Sequence, residues 1–215
     1  RGQPLGDRVE TGVIGCGLMG QQRARSLGLL AEKPEVVVVF DPDAERARAL
    51  AAKLGCHAAG TLDELLAFPN FDVAIVAVPH FLAKDTAVAA LRAGKHVLCE
   101  KPLGLTTEEA NAVVEAAKVE GRVLTPGFNY RYYPGFQAAF EAVEQGKIGK
   151  LTHIRAELGH GARPGYEKEW KTSKQLCGGG ALLDPGIHMI DLIRFFAGSI
   201  SSGSADLFRS FWKID

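Results

Sequence analysis

From Val9 to about Leu124 the chain alternates short, almost wholly apolar runs with Ala-rich stretches whose apolar residues recur at helical spacing. The runs Val9–Ile14, Glu35–Phe40, Asp72–Val78, His96–Cys99 and Arg122–Thr125 read as strands. They are apolar at successive positions rather than at alternate ones, as strands are when helices bury both faces of a parallel sheet. The segments between them, Gly20–Leu30, Ala44–Leu54, Thr86–Ala93 and Thr107–Glu120, read as those helices, which makes the region a doubly wound α/β domain. Thr106-Thr-Glu-Glu109 has the spacing of a capping box, and Gly94 and Gly121 stand where a left-handed residue closes a helix.

The texture changes after Gly127, so the pattern divides the chain into residues 1–127 and 128–215. The second part opens on Tyr130, Tyr132 and Tyr133, continues with a helix at Phe136–Gln145, and then offers Leu151–Leu158, whose alternation predicts a half-buried strand. A Gly-punctuated loop from Gly159 to Gly180 leads to a helix at Ala181–Ala197, and the tail from Ser199 to Asp215 shows no periodicity. A lone strand can neither pair its edges nor bury a face. The expectation is therefore an incomplete α+β second domain, from a fragment, a truncated gene product or a variant terminus, with an apolar surface left uncovered unless a partner or the tail through Phe208, Phe211 and Trp212 covers it.

Composition narrows the partners. Lys plus Arg and Asp plus Glu each number 25 in 215 residues, so net charge recommends neither nucleic acid nor an anionic membrane, and a small molecule is the better default. Cys16, Cys56, Cys99 and Cys177 form no C-x-x-C pair and have no His at ligand spacing, which predicts no metal and a reducing, cytoplasmic setting. No apolar run approaches the roughly 20 residues of a membrane helix, and the first residues, which lack a Met, show no signal-peptide pattern.

Gly15-Cys-Gly-Leu-Met-Gly20 lies between a strand and a helix. In a G-x-G-x-x-G turn of this kind the first glycine allows the tight bend, the second lets a pyrophosphate approach the backbone, and the third lets helix and strand pack closely. The next strand ends in Asp41, at about the 20-residue distance where a carboxylate meets the adenosine ribose hydroxyls. A carboxylate there repels a 2′-phosphate, so NAD is favoured over NADP, although Arg46 nearby softens the discrimination. The competing role for Asp41 is a helix N-cap before Pro42-Asp43. The fold class that follows is a Rossmann sheet with a partial second domain.

Ligands bind at the carboxyl ends of strands in open α/β sheets, and here those ends carry Val78-Pro79-His80 and Glu100-Lys101-Pro102. Further on, Gly178-Gly-Gly-Ala-Leu-Leu-Asp184-Pro-Gly-Ile-His188-Met-Ile-Asp191 places Asp184 and His188 four apart, on one face if helical. On spacing alone such a pair is more often a cap or core hydrogen bond than a catalytic dyad. Asp191 reads as a structural partner on the same helix. His57, His96 and His153 read as structural, and His80 as a residue at the pocket edge.

Gly15–Gly20, Glu100-Lys-Pro102 and Gly178–Asp191 together resemble the Gfo/Idh/MocA family of glucose-fructose oxidoreductases and myo-inositol dehydrogenases, over about Val9 to Gly198. The resemblance implies a nicotinamide-dependent oxidoreductase acting on a secondary hydroxyl of a sugar, cyclitol or related polyol. It also implies a second domain built on a large open sheet that carries the substrate pocket and the oligomer contact, so that self-association is weakened if the sheet is missing. The positions matching Lys101, Asp184 and His188 would form the catalytic group, and the proline matching Pro102 is commonly cis. The cofactor would meet Gly15, Gly17, Leu18, Met19, Gly20, Asp41, Pro79, His80, Glu100, Lys101, Asn129 and Trp170. Asn129 and Arg131 resemble positions near the nicotinamide, with a structural role equally open. Trp170-Lys171 resembles a Trp-Arg pair, with Lys in place of the forked Arg. His160 and Arg163 fall in a loop where either a substrate contact or plain solvation fits.

Loss of hydride from a secondary hydroxyl requires a base for its proton and a stabiliser for the developing oxyanion. In one assignment His188 takes the proton, Lys101 stabilises or shuttles it, and Asp184 orients substrate and His188. Lys101 as the base remains open, because burial depresses a Lys pKa. The alternative to an active dehydrogenase is a module that binds NAD(H) without turnover.

Overall fold

The computed structural model describes residues 9–159 and 164–206, which fall into two compact units divided after Gly127. In the first, six strands form one sheet in the order β3-β2-β1-β4-β5-β6. Along the chain these are β1 (Glu10–Ile14), β2 (Glu35–Phe40), β3 (His57–Ala58), β4 (Val73–Val76), β5 (His96–Cys99) and β6 (Leu124–Pro126). Every pairing is parallel. Strand order reverses between β1 and β4, so both neighbours of β1 are reached by crossovers and a crevice opens beyond the carboxyl ends of the strands.

The crossovers are α1 (Leu18–Leu27), α2 (Ala44–Leu54), α3 (Leu62–Ala67), α4 (His80–Arg92) and α5 (Thr107–Val119). They bury the two sides of the sheet as two apolar clusters. One gathers Ile14, Val38, Val76 and Val97 with Leu91 and Val113, and the other gathers Val13, Val39 and Ile75 with Ala24, Ala47 and Leu50. Successive residues of one strand enter opposite clusters, which is why the runs read as continuously apolar.

Element ends differ from the pattern where local chemistry decides them. The α4 helix starts at His80, not Thr86: Pro79 occupies its N-cap, and His80, Ala83, Thr86, Ala87, Ala90 and Leu91 form one buried face with no breaker among them. Neither β3 nor α3 is evident from periodicity. The first is two residues long, paired to Val38 and Val39, and too short to show a period. The second is six residues long, yet Thr61 accepts from the Glu64 N–H at 3.0 Å, the same Thr-x-x-Glu spacing that opens α5. At α5 itself Thr106 accepts from the Glu109 N–H, while the Glu109 carboxylate accepts from Leu105 N–H, one residue ahead of the cap. Gly94 and Gly121 are left-handed as expected, at φ 78° and 62°.

Within its described residues the second unit is helical. It contains α6 (Pro134–Glu144), α7 (Lys174–Cys177), α8 (Ile187–Ala197) and short 3-10 turns at Asn129–Tyr132, Tyr166–Lys168 and Trp170–Thr172. The last two turns and α7 occupy the segment expected to be a loop. The strand expected at Leu151–Leu158 is not formed: the segment carries no ladder, and among the described residues its alternation has no partner strand to pair with. The helix expected from Ala181 proper begins as a π turn, Leu182–Gly186, around Pro185, whose missing N–H cannot join an α ladder. Phe140 of α6 stacks on Phe195 of α8 with ring centroids 4.2 Å apart, joining the two long helices of the unit.

Leu91 is wholly buried in the larger cluster of the first unit. Leu91→Ala is expected to destabilise that unit by about 2–5 kcal/mol through lost transfer energy and a residual cavity. The check is a drop in its midpoint in guanidinium denaturation followed by far-ultraviolet circular dichroism.

Candidate functional site

The glycine turn follows β1 directly. Gly15 has φ +94°, and a Cβ there would lie 2.4 Å from the Ala77 carbonyl oxygen, so the residue must be glycine on both conformational and steric grounds. A Cβ on Gly20 would fall 1.9 Å from the Gly15 carbonyl oxygen, which sets how closely α1 can lie against the turn. Gly17 is different in kind: a Cβ there would meet nothing within 4 Å. Its lack of a side chain leaves space open beside the backbone at the N-cap of α1, where no side chain caps the helix. Leu18 is 82% exposed in the first turn of that helix, with Met19 half-buried beside it. N–H groups without a side-chain cap, a positive helix end and the open space at Gly17 fit a dinucleotide pyrophosphate.

Asp41 directly follows β2, its carboxylate against the turn. Its Oδ2 accepts from the Cys16 N–H at 2.8 Å and its Oδ1 from the Asp43 N–H at 2.9 Å, so the carboxylate is oriented by backbone while each oxygen keeps a lone pair. Asp41 is not the helix cap. Asp43 caps α2, accepting from the N–H groups of Glu45 and Arg46. Burial, and next the charge of Asp41, push the Cys16 thiol up to about 12, which keeps it protonated and unreactive.

The other predicted residues of the first unit sit at neighbouring strand ends. Pro79 and His80 follow β4, and His80 is buried as the first residue of α4. Glu100, Lys101 and Pro102 follow β5; the Lys101–Pro102 bond is cis, Lys101 is half-buried and Glu100 is buried. The sequence did not single out the partner of Glu100. Arg23 Nε donates to Glu100 Oε1 at 2.6 Å, and only the break in the apolar face of α1 hints at it. His57 and His96 are local fasteners: His57 meets Glu64 at 2.8 Å, and His96 Nδ1 accepts from the Val123 N–H.

In the second unit Asp184 and His188 are both buried, in the π turn and the first turn of α8. The His188 ring stacks on Tyr130, centroids 4.2 Å apart and 9° from parallel, with Phe128 edge-on to it. Asp184 Oδ2 accepts from Lys171 Nζ at 3.0 Å, a contact not foreseen in the sequence, where Lys171 stood as a substitute for a forked arginine. Burial and then the charge of Asp184 raise the Tyr166 phenol above its ordinary range, so Tyr166, Lys171 and Asp184 form one electrostatic cluster. Trp170 adjoins it, with Lys171 Nζ 5.8 Å from its ring. Arg131 bonds both oxygens of Asp191, at 2.7 and 2.5 Å, and lies 5.2 Å from the Phe195 ring, which assigns it a structural role. Asn129 donates to the Tyr133 hydroxyl at 3.3 Å. His160 and Arg163 lie outside the described residues. Among the described residues no group of three His, Cys, Asp or Glu is placed to hold a metal, and no helix is long and apolar enough to cross a membrane.

Comparison with known proteins decides the family. Residues 9–128 match the Gfo/Idh/MocA family described as an oxidoreductase family with an NAD-binding Rossmann fold, and residues 136–215 match a Gfo/Idh/MocA C-terminal domain. The chain belongs to the Gfo/Idh/MocA family. It is similar to the levoglucosan dehydrogenase of Pseudarthrobacter phenanthrenivorans, at 32% identity over 93% of this chain and 54% of that protein. It is also similar to inositol 2-dehydrogenase 3 of Saccharopolyspora erythraea, at 31% identity over 87% and 53%. Among solved structures, levoglucosan dehydrogenase in complex with NADH and levoglucosan superposes with a TM-score of 0.78 at 30% identity, over 89% of this chain and 54% of that one. The chain thus spans about half the length of the curated relatives it matches.

Asp191 keeps only 8% side-chain exposure against the 38% of Arg131. Asp191→Ala is expected to cost about 1–3 kcal/mol, since it strands part of the Arg131 fork, with solvent screening at Arg131 limiting the loss. Faster amide exchange confined to residues 128–137 and the start of α8 would report it; unchanged exchange there would refute the structural role.

Proposed function

We propose that this chain binds NAD(H) at the glycine turn and transfers hydride between it and a secondary hydroxyl of a sugar, cyclitol or related polyol. The observation that carries the proposal is the contrast between Gly17, open on its outer side, and Gly15 and Gly20, closed against backbone, with the Asp41 carboxylate beside them. Purely steric glycines would all be closed. The named activities of the relatives, levoglucosan and inositol dehydrogenase, support the substrate class. Four cysteines, three of them buried and none joined in a disulfide among the described residues, support residence in a reducing cytoplasm.

In this reading the N–H groups that open α1, with Gly15, Gly17, Leu18, Met19 and Gly20, hold the pyrophosphate, and Asp41 accepts from an adenosine ribose hydroxyl. Pro79, His80, Asn129 and Trp170 are assigned to the remainder of the cofactor, with the buried Glu100 supporting that corner from behind. The bound nicotinamide supplies the hydride acceptor. The protein's own task is the proton: His188 receives it from the substrate hydroxyl, its ring plane held by the Tyr130 stack, and the Lys101 ammonium stabilises the oxygen as charge develops. Asp184, paired with the adjacent Lys171 ammonium, orients the substrate by accepting from a neighbouring hydroxyl.

Titration with NADH, followed by fluorescence, and a screen of sugars and inositols for NAD reduction test the proposal. Saturable binding with turnover of at least one polyol is expected. Binding without turnover would leave a cofactor-binding module, and no binding by a folded chain would remove the oxidoreductase reading altogether. Asp41→Asn keeps an oxygen for the Cys16 N–H but removes the charge that repels a 2′-phosphate. It is expected to shift the NADH-to-NADPH affinity ratio toward NADPH by about tenfold, as a change on the order of 1.4 kcal/mol implies; an unchanged ratio would exclude Asp41 as the discriminator.

A further inference from the structure

The glycine turn and the Glu100-Lys101-Pro102 corner are joined by one side chain. Arg23 lies on α1 between Gly20 and Ala24, the two residues of that helix buried against the sheet, so a cation occupies a face that amphipathic patterning reserves for apolar groups. Its Nε donates to Glu100 Oε1 at 2.6 Å, and the two side chains retain only 18% and 10% of their exposure. Glu100 is confined on its other sides as well. Its N–H donates to the Val76 carbonyl at 2.8 Å, and its carboxylate packs over Gly127, where a Cβ would fall 2.9 Å from Oε2. Since β4 lies between β1 and β5, the bond reaches from the helix that opens at the glycine turn to the strand end that carries Lys101.

The pair is poorly arranged for stability alone. An arginine fork is strongest when it makes two parallel bonds to a carboxylate. Here Arg23 Nη2 is buried without a hydrogen-bond partner among the described residues, an uncompensated desolvation. A well-packed apolar pair in the same volume would generally serve stability as well or better. What apolar side chains cannot supply is a directed bond that fixes the Glu100 side chain and, through the shared backbone, the residue that follows it. Buried polar contacts that break the local pattern are expected where function requires a fixed geometry.

We propose that Arg23 is a positioning residue: through Glu100 it locks the Lys101-Pro102 corner to the cofactor helix, so that the Lys101 amine is held in register with a dinucleotide seated on α1. The inference rests on the proposed reaction for its catalytic consequence, and on the Arg23–Glu100 contact alone for its structural one.

Arg23→Gln and Arg23→Lys in the intact chain are compared with wild type on three readouts. These are NADH affinity by fluorescence, kcat and KM for an accepted polyol, and the rate at which an amine-reactive reagent labels Lys101, followed by peptide mass spectrometry. Arg23→Gln is expected to bind NADH within about threefold of wild type and to lose about tenfold or more in kcat at little-changed KM, the scale of a misaligned group. Lys101 should be labelled several-fold faster, and Arg23→Lys should recover part of each effect. A folded Arg23→Gln with wild-type labelling and kcat overturns the inference. Loss of NADH binding in parallel with kcat also overturns it, since Arg23 would then prop the cofactor helix alone. If neither variant folds, the pair is purely structural and the inference falls. Should the wild type bind NADH yet turn over no polyol, the proposed reaction fails, while the labelling comparison still decides the role of Arg23.

Discussion

The first unit depends on a contact that only hydrogen atoms can make. The Gly20 Cα and the Gly15 carbonyl are so close that a methyl group on Gly20 would sit 1.9 Å from that oxygen. This approach lets α1 begin within a few residues of the end of β1 and lie flat on the sheet, and it aims the start of the helix across the crevice where strand order reverses. Backbone fixes the other side of the turn too, because Gly15 is pinned between the Phe40 carbonyl, which accepts its N–H at 2.8 Å, and the Ala77 carbonyl, which leaves no room for a side chain. Three strands thus set the turn, and its outer side at Gly17 remains open to a ligand.

The surrounding polar groups act on that frame. Asp41 orients itself with two backbone donors, one of them from within the turn, so the carboxylate assigned to ribose is part of the glycine loop's own hydrogen bonding. Cys16, buried beneath it with its thiol raised to about 12, contributes volume without reactivity. In the second unit aromatic stacking and charge pairing do comparable work: Tyr130 fixes the plane of His188, Lys171 neutralises Asp184, and Arg131 clamps Asp191. Among the described residues, the buried ones of that unit are mostly polar and held by partners, unlike the aliphatic core of the first.

The sequence pattern succeeded where a period or a motif spans enough residues to be specific. Five of the six strands, the helices between them and the G-x-G-x-x-G turn were legible, because apolar runs in a doubly covered parallel sheet and glycines at fixed spacing each have few alternative explanations. A two-residue strand at His57–Ala58 has no period to read, and α3 was missed although Thr61 and Glu64 carry a capping signal. The alternation at Leu151–Leu158 was genuine but insufficient, since a strand exists only where another strand pairs with it.

Taken alone, the sequence determined the class of the first unit, the place of its glycine turn and the residue types at its strand ends, all of which follow from local spacing. Only the tertiary structure decided who holds whom. Arg23 reaches Glu100 across 77 positions of chain and Arg131 reaches Asp191 across 60, distances over which no periodicity carries information. It also separated a glycine open to a ligand from glycines closed against backbone, a difference set by neighbours that arrive from β4 and from the turn itself, which spacing along the chain cannot encode.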